Sequence, residues 1–229
     1  MIKYDASNEW IKSYSSINQI PYPSEYVIRI FKGTYPKINF EKKSFERKKI
    51  CDIGFGSGRN LVFLHECGFE LYGTEISKEI VDMTKNNLSK MSILTDLKIG
   101  RNDLLPFEND FFDFLLSWNS CYYMGQNNDF NTHVLEMARI LKHKGYLIMS
   151  IPMKTNFIFI DSQEFKQGYR IIRKDPFNVR NGEILKIFED NNEIKDTFSK
   201  YFDNFIFASI YDDCFGYNYH WHVIICQKK

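Results

Sequence analysis

The chain has 229 residues, 44% of them hydrophobic, with 30 basic against 29 acidic side chains and a formal net charge of +1. That length suits one domain over 1–229 with a sizeable core, and a balanced charge without long runs of one sign argues against a dedicated nucleic-acid binder. No stretch reaches the roughly eighteen consecutive apolar residues of a membrane span. The opening "MIKYDASNEW" lacks the apolar region of a signal peptide, and the five scattered cysteines include no C-x-x-C pair. The expectation is a cytoplasmic protein with reduced thiols, no nucleic-acid or membrane partner and no metal site. The sequence carries no signal of oligomeric state.

Up to about Lys49 the chain is polar and rich in aromatics, with Tyr4, Trp10, Tyr14, Tyr22 and Tyr26. After it, short apolar runs alternate with helical patterns, which predicts repeated strand-helix units on a parallel sheet. Strands are expected at 49–54, 70–75, 96–100, 111–117 and 145–151. Helices run through "GRNLVFLHECG", "SKEIVDMTKNNLSK" and "FNTHVLEMARILKHKG"; the first and last end at Gly68 and Gly145, and Ser77 caps the middle one. "NNEIKDTFSKYF" predicts a further helix. "NFIFASIYDD" and "YHWHVIICQ", joined by "CFGYN", predict an antiparallel hairpin on the sheet edge. From Pro152 to Gly182 there is no clean periodicity, and a connection of that length points to a segment that covers a site or is disordered.

The informative stretch is "ICDIGFGSGRN". A strand delivers Asp52 to its carboxyl end, and Gly54, Gly56 and Gly58 then let the backbone approach a ligand closely. About twenty residues on, "LYGTEIS" sets Glu75 at the end of the next strand, where a carboxylate can accept from both hydroxyls of a ribose. A dinucleotide fits poorly: G-x-G-x-x-G needs glycine where Arg59 stands, and an acid ahead of the glycines suits a cationic ligand better than a pyrophosphate. S-adenosylmethionine has the required ammonium, sulfonium and adenosine.

These motifs resemble, in order, those of the class I S-adenosylmethionine-dependent methyltransferases over residues 45–229, with "NDLLPFENDFFDFLLSWNS" and "HVLEMARILKHKGYLIMSIP" as the later ones. The resemblance implies a Rossmann-like α/β fold: a mostly parallel seven-stranded sheet, helices on both faces and a C-terminal antiparallel hairpin. It implies that Asp52, Gly54, Gly56 and Gly58 line the methionine part of the cofactor, that Glu75 holds the ribose, and that Ser117 and Trp118 lie beside the donor. At the adenine, relatives often have Gly-Asp-Ala where this chain has Gly100-Arg101-Asn102-Asp103, leaving Asn102 and Asp103 as the two candidates. It also implies that residues 1–45 fold as a cap over the site, with residues 152–182 as a substrate-covering insertion.

Methyl transfer needs an acceptor lone pair held in line with the sulfonium-methyl bond, plus a base when the acceptor carries a proton. "SWNSCYYM" offers Asn119, Tyr122 and Tyr123 at strand ends. His220 and His222 share one face of the last strand and titrate near neutrality. Expected catalytic groups are therefore His220, His222, Tyr122 and Asn119. "GYRIIRKDPFNVR" is basic, and guanidinium groups recognise phosphate by paired hydrogen bonds, so Arg170 and Arg173 are expected to bind substrate together with Tyr22 and Tyr123. "IPYPSEY" is similar to openings of bacterial methyltransferases acting on surface-polysaccharide components. The reading is O-methylation of a small polar precursor of a surface glycan, phosphorylated or nucleotide-linked carbohydrate included. Alternatives are a non-catalytic S-adenosylmethionine-binding sensor or partner subunit, an RNA or protein methyltransferase, and a nicotinamide oxidoreductase.

Overall fold

A computed structural model describes residues 7–15, 20–40, 45–126 and 128–229. Tyr4 lies outside them. Helices α1 (Ser7–Ser15) and α2 (Glu25–Lys32) precede the sheet. The core units follow as β1 (Lys49–Ile53), α3 (Arg59–Glu66), β2 (Glu70–Glu75), α4 (Lys78–Lys90), β3 (Thr95–Ile99) and β4 (Phe112–Ser117). Then come β5 (Tyr123–Met124), α5 (Phe130–Ile140), β6 (Leu141–Pro152), a 3-10 turn (Phe157–Phe159), β7 (Ser162–Lys166), β8 (Tyr169–Ile172) and β9 (Ile184–Lys186). Helix α6 (Asn191–Phe198) leads into β10 (Phe202–Cys214) and β11 (Tyr217–Lys228).

The main sheet has seven strands in the order β10-β11-β6-β4-β1-β2-β3. β1 pairs parallel with both β2 and β4, and β4 pairs parallel with β6. β11 is antiparallel to β6 and to β10. The expected α/β sheet is thus present, and its closing hairpin is threaded with the second strand inside and β10 at the edge. Alternation along the strands divides the core. Phe114, Leu116 and Ile148 pack on the face that α2, α3 and α4 cover; Phe112, Leu115, Leu147 and Met149 pack on the face of α5 and α6. The central strands β1, β4 and β6 read as apolar runs because both their faces are buried.

Two local expectations change. The helix expected to run to Gly145 stops at Ile140, and Leu141 already pairs with Phe112 in the sheet. Lys144, with φ of 60°, turns the chain into the strand proper. Residues 152–182, which lack strand periodicity, nevertheless form β7 and β8, which join β5 and β9 in a second sheet ordered β5-β9-β8-β7. β7 is largely exposed, so no apolar alternation marks it in the sequence. Among the described residues no helix is long and apolar enough to cross a membrane.

Candidate active site

Strand order reverses beside β1, because the chain passes to β2 and β3 on one side and returns to β4 on the other. The carboxyl ends of such strands leave a crevice. There the protein has a cavity of about 450 Å³.

One wall is the glycine turn. Gly54, Gly56 and Gly58 have φ of 73°, 54° and 79°, values that side chains rarely adopt. Space is also closed: a Cβ on Gly54 would stand 2.5 Å from Cβ of Ser120, and one on Gly56 2.6 Å from the Tyr14 hydroxyl. Gly54 and Gly56 face the cavity. Gly58 does not; it precedes α3 and packs on Thr84, whose hydroxyl donates to the Gly56 carbonyl at 2.8 Å. Its part is to shape the turn.

Parallel pairing of Ile53 with Thr74 brings Glu75 beside that turn. Its carboxylate accepts from the amides of Gly56 at 3.0 Å and Ile76 at 2.9 Å. Burial raises its pKa, and the two amides oppose the shift. Asp52, 1% exposed, precedes the turn and stands outside the cavity lining, and among the described residues its Oδ2 has no hydrogen-bond partner. Burial pushes its pKa up to about 7, with Arg59 pulling down and Glu75 adding to the rise. A buried carboxylate oxygen without a partner is a costly feature that a cationic ligand would relieve.

The adenine-side candidates separate. Asn102 lines the cavity and donates to the Ser120 carbonyl at 3.0 Å. Asp103 is held by Arg101 at 2.5 Å and by Asn128, outside the lining. Trp118 lines the cavity; Ser117, fully buried, bonds instead to the Ser120 hydroxyl at 2.8 Å.

The opposite wall is aromatic. Trp10 and Tyr14, stacked 5.5 Å apart on α1, face it with Tyr123, Phe157, Tyr219 and Trp221. Among them sits Arg180, which donates through Nε to the Tyr123 hydroxyl at 3.0 Å and through Nη1 to Asp175 at 3.1 Å. Burial works against its charge, but Tyr123, Tyr122 and Asp175 more than offset that and hold the guanidinium protonated. Asn119 also lines the cavity, its side chain accepting from Ser150 at 2.7 Å.

Several expected residues lie elsewhere. His220 and His222 do share a face of β11, but alternation gives the cavity to Tyr219 and Trp221. His220 meets Thr155 at 2.8 Å, and His222 meets Asn191 at 2.8 Å. Tyr122 is wholly buried beneath Tyr123, and among the described residues its hydroxyl makes no hydrogen bond of good geometry. Arg170 is bound to Ser162 and Arg173 to Gln163, both outside the cavity. Tyr22 is 93% exposed, while its neighbour Pro21 lines the site. Sequence reasoning noted Trp10 and Tyr14 only as aromatics of the opening segment and Arg180 only as part of a basic run, and it passed over Glu183, Tyr219 and Trp221. The last two were recoverable from the alternation that picked out the histidines, once the buried face was known.

Residues 51–149, which carry the glycine turn, Glu75 and the strands beside the cavity, match the sequence model of a methyltransferase domain. Residues 51–149 form a methyltransferase domain, and the protein is an S-adenosylmethionine-dependent methyltransferase. S-adenosylmethionine is its cofactor. The residues fit that group: the unpartnered Oδ2 of Asp52 suits an ammonium, the glycine cradle admits no side chain, and Glu75 can accept from ribose hydroxyls.

Among curated proteins, the methyltransferase is 24% identical over 165 residues to YqeM of Bacillus subtilis, covering 65% of this chain and 67% of that one. It is 25% identical over 179 residues to the ubiquinone biosynthesis O-methyltransferase of Pelagibacter ubique, covering 76% and 71%. Among solved structures it resembles the PH0226 protein of Pyrococcus horikoshii, with TM-score 0.66, 16% identity and coverage of 95% and 99%. A Methanosarcina mazei S-adenosylmethionine-dependent methyltransferase gives TM-score 0.65 and 19% identity, covering 85% and 98%.

Proposed function

We propose that the methyltransferase O-methylates a small acceptor enclosed between the glycine turn and Arg180, in a cytoplasmic setting. One observation carries this: Gly54, Gly56, Glu75 and Asn102 share a single cavity with Arg180, Tyr123 and Trp10. Its volume, about 450 Å³, is that of a small-molecule site. S-adenosylmethionine supplies a methyl carbon on a sulfonium, which an acceptor lone pair displaces.

On this reading Glu75 holds the ribose, Asp52 meets the ammonium behind the turn, and Asn102 serves the adenine side. Helix α1 acts as the cap and residues 152–182 as the cover, excluding water from the transfer. No histidine is among the described cavity residues. Glu183, on the acceptor side with Arg180, takes the proton of a hydroxyl acceptor, a contribution of about 10²-fold or more. The five cysteines are free thiols, which supports the cytoplasmic setting. The narrower assignment, a surface-glycan precursor, rests on the resemblance of "IPYPSEY", which gives the cavity Pro21.

The test offers methyl-labelled S-adenosylmethionine to the small-molecule, RNA and protein fractions of a cell extract. Label in the small-molecule fraction, reduced in Glu183→Gln and with cofactor affinity weakened in Glu75→Ala, is the expected result. Label confined to RNA or protein would overturn the reading.

A further inference from the structure

We propose, resting on the O-methylation reading of this cavity, that Asn119 is the residue that selects an oxygen nucleophile over a nitrogen one. Its side-chain amide is held so that it offers the cavity a hydrogen-bond donor and no acceptor.

β4 ends at Ser117, and two residues on Asn119 has φ of 60°, a left-handed conformation that asparagine tolerates better than most side chains. The side chain meets β6, whose register with β4 sets Met149 opposite Ser117 and so brings Ser150 alongside. Ser150 is the polar residue of the apolar run Leu147–Pro152 and has no exposed surface. Buried hydroxyls find partners, and both partners here are on Asn119. The serine oxygen accepts from the Asn119 backbone N–H at 2.8 Å and donates its own proton to Oδ1 at 2.7 Å.

Those two bonds fix the amide. A hydroxyl carries one proton, and Oδ1 is the acceptor it meets among the described residues. Turning the amide over would set Nδ2 against an oxygen that already accepts, and would leave the serine proton buried without a partner. Nδ2 therefore points away from Ser150, and among the described residues neither of its protons is bonded. Nor is Nδ2 a buried atom left unpaired, so it is open to the cavity that Asn119 lines.

Its place in the cavity is the junction of the two walls. Ser120, the next residue, lies against Gly54, 2.5 Å from where a Cβ there would stand. On the other side Trp221 pairs with Pro152, two residues beyond Ser150. The methyl carbon and its acceptor have to meet at such a junction. The other polar side chains of the lining are differently placed. The Ser120 hydroxyl is donated to the Ile53 carbonyl, and Asn102 donates to the Ser120 carbonyl at 3.0 Å. Asn60 has its Oδ1 held by the Ser24 amide at 3.1 Å, but it stands on α3, on the glycine side.

A hydroxyl oxygen has two lone pairs. One accepts from Nδ2 while the other forms the bond to carbon; the carbon–sulfur pair returns to sulfur, and the hydroxyl proton goes to Glu183. An amine nitrogen has a single lone pair. If that pair accepts from Nδ2, none remains to attack; if it attacks, Nδ2 is left facing N–H groups that are donors too. The same amide thus orients one nucleophile and blocks the other.

The experiment is calorimetric titration of the full chain, saturated with S-adenosylhomocysteine, with phenol and with aniline, flat probes that differ in the atom Nδ2 meets. Phenol should bind at least about fivefold more tightly, the worth of one neutral hydrogen bond. Asn119→Gly, which keeps the left-handed backbone without strain, should erase that preference and change S-adenosylhomocysteine affinity by less than about threefold. Ser150→Ala, a second variant, should reduce the preference severalfold because the amide is then free to turn over. Equal or tighter aniline, no phenol binding at about 10 mM, or a preference that survives Asn119→Gly overturns the selection by Asn119. A methyl group found on nitrogen in the labelled product overturns it too, as does a collapse of S-adenosylhomocysteine affinity in Asn119→Gly, which would move the residue to the cofactor. Label confined to RNA or protein, with the phenol preference present in wild type and lost in Asn119→Gly, overturns the small-acceptor reading instead.

Discussion

Asp175 has no exposed side-chain surface and bonds the cavity-facing Arg180 at 3.1 Å, closing a loop of chain onto the cavity. Removing one partner of a buried pair strands the other charge, at a cost of about 3 kcal/mol or more. Asp175→Asn should lower unfolding free energy by about that amount in urea. The double variant Asp175→Asn/Arg180→Gln should lose clearly less than the sum of the singles, as coupled neighbours do. Strict additivity would remove the pair from the account.

Gly56 makes the second prediction. A Cβ there would stand 2.6 Å from the Tyr14 hydroxyl, and the backbone has φ of 54°. Gly56→Ala must strain the turn at its positive φ and push the Tyr14 ring aside, so S-adenosylhomocysteine binding should fall more than about tenfold while the fold persists. Gly216, with φ of 88° and no atom within 4 Å of its would-be Cβ, is the control. Gly216→Ala should cost about 1 kcal/mol of stability and nothing in cofactor affinity. Equal effects of the two on binding would show that the cradle is not what Gly56 provides.

Tyr122 makes the third. Its side chain is fully buried, stacked on Tyr123 at 5.0 Å between ring centres, and among the described residues its hydroxyl makes no hydrogen bond of good geometry. An unpaired buried hydroxyl costs about 1 kcal/mol or more, so Tyr122→Phe should match or exceed wild-type stability by about that amount. Methyl transfer should be retained, because the hydroxyl does not reach the cavity. A large loss of turnover with normal stability would return Tyr122 to the catalytic group.

The glycine-turn side of the cavity was legible in the sequence, and the aromatic side was not. Gly54, Gly56 and Glu75 are set by local geometry, a strand end followed by a turn that only glycine fits, and pairing of β1 with β2 joins them. His220 and His222 were placed correctly on one face, but which face is buried depends on β11 being inserted beside β6. Arg180 could not be told from Arg170 and Arg173 by charge; the closed loop around Asp175 decides it. Trp10 and Tyr14 are one helical turn apart, a spacing that marks a shared face and says nothing of what it faces.

The pH dependence of the site turns on Asp52. Its pKa is pushed from 3.8 to about 7, chiefly by burial. Between those values the unfolded chain has lost a proton that the folded chain keeps, so stability declines as pH rises from about 4 to 7, by at most about 1.4 kcal/mol per pH unit. Asp52→Asn should flatten that part of the urea-midpoint profile. A cation seated at Oδ2 favours the ionised carboxylate, so cofactor binding below pH 7 should release a proton and strengthen with rising pH. Calorimetry of S-adenosylhomocysteine binding at pH 6 in two buffers of different ionisation enthalpy reads that proton directly. Proton release near zero in wild type, or unchanged in Asp52→Asn, would falsify the assignment of Asp52 to the ammonium.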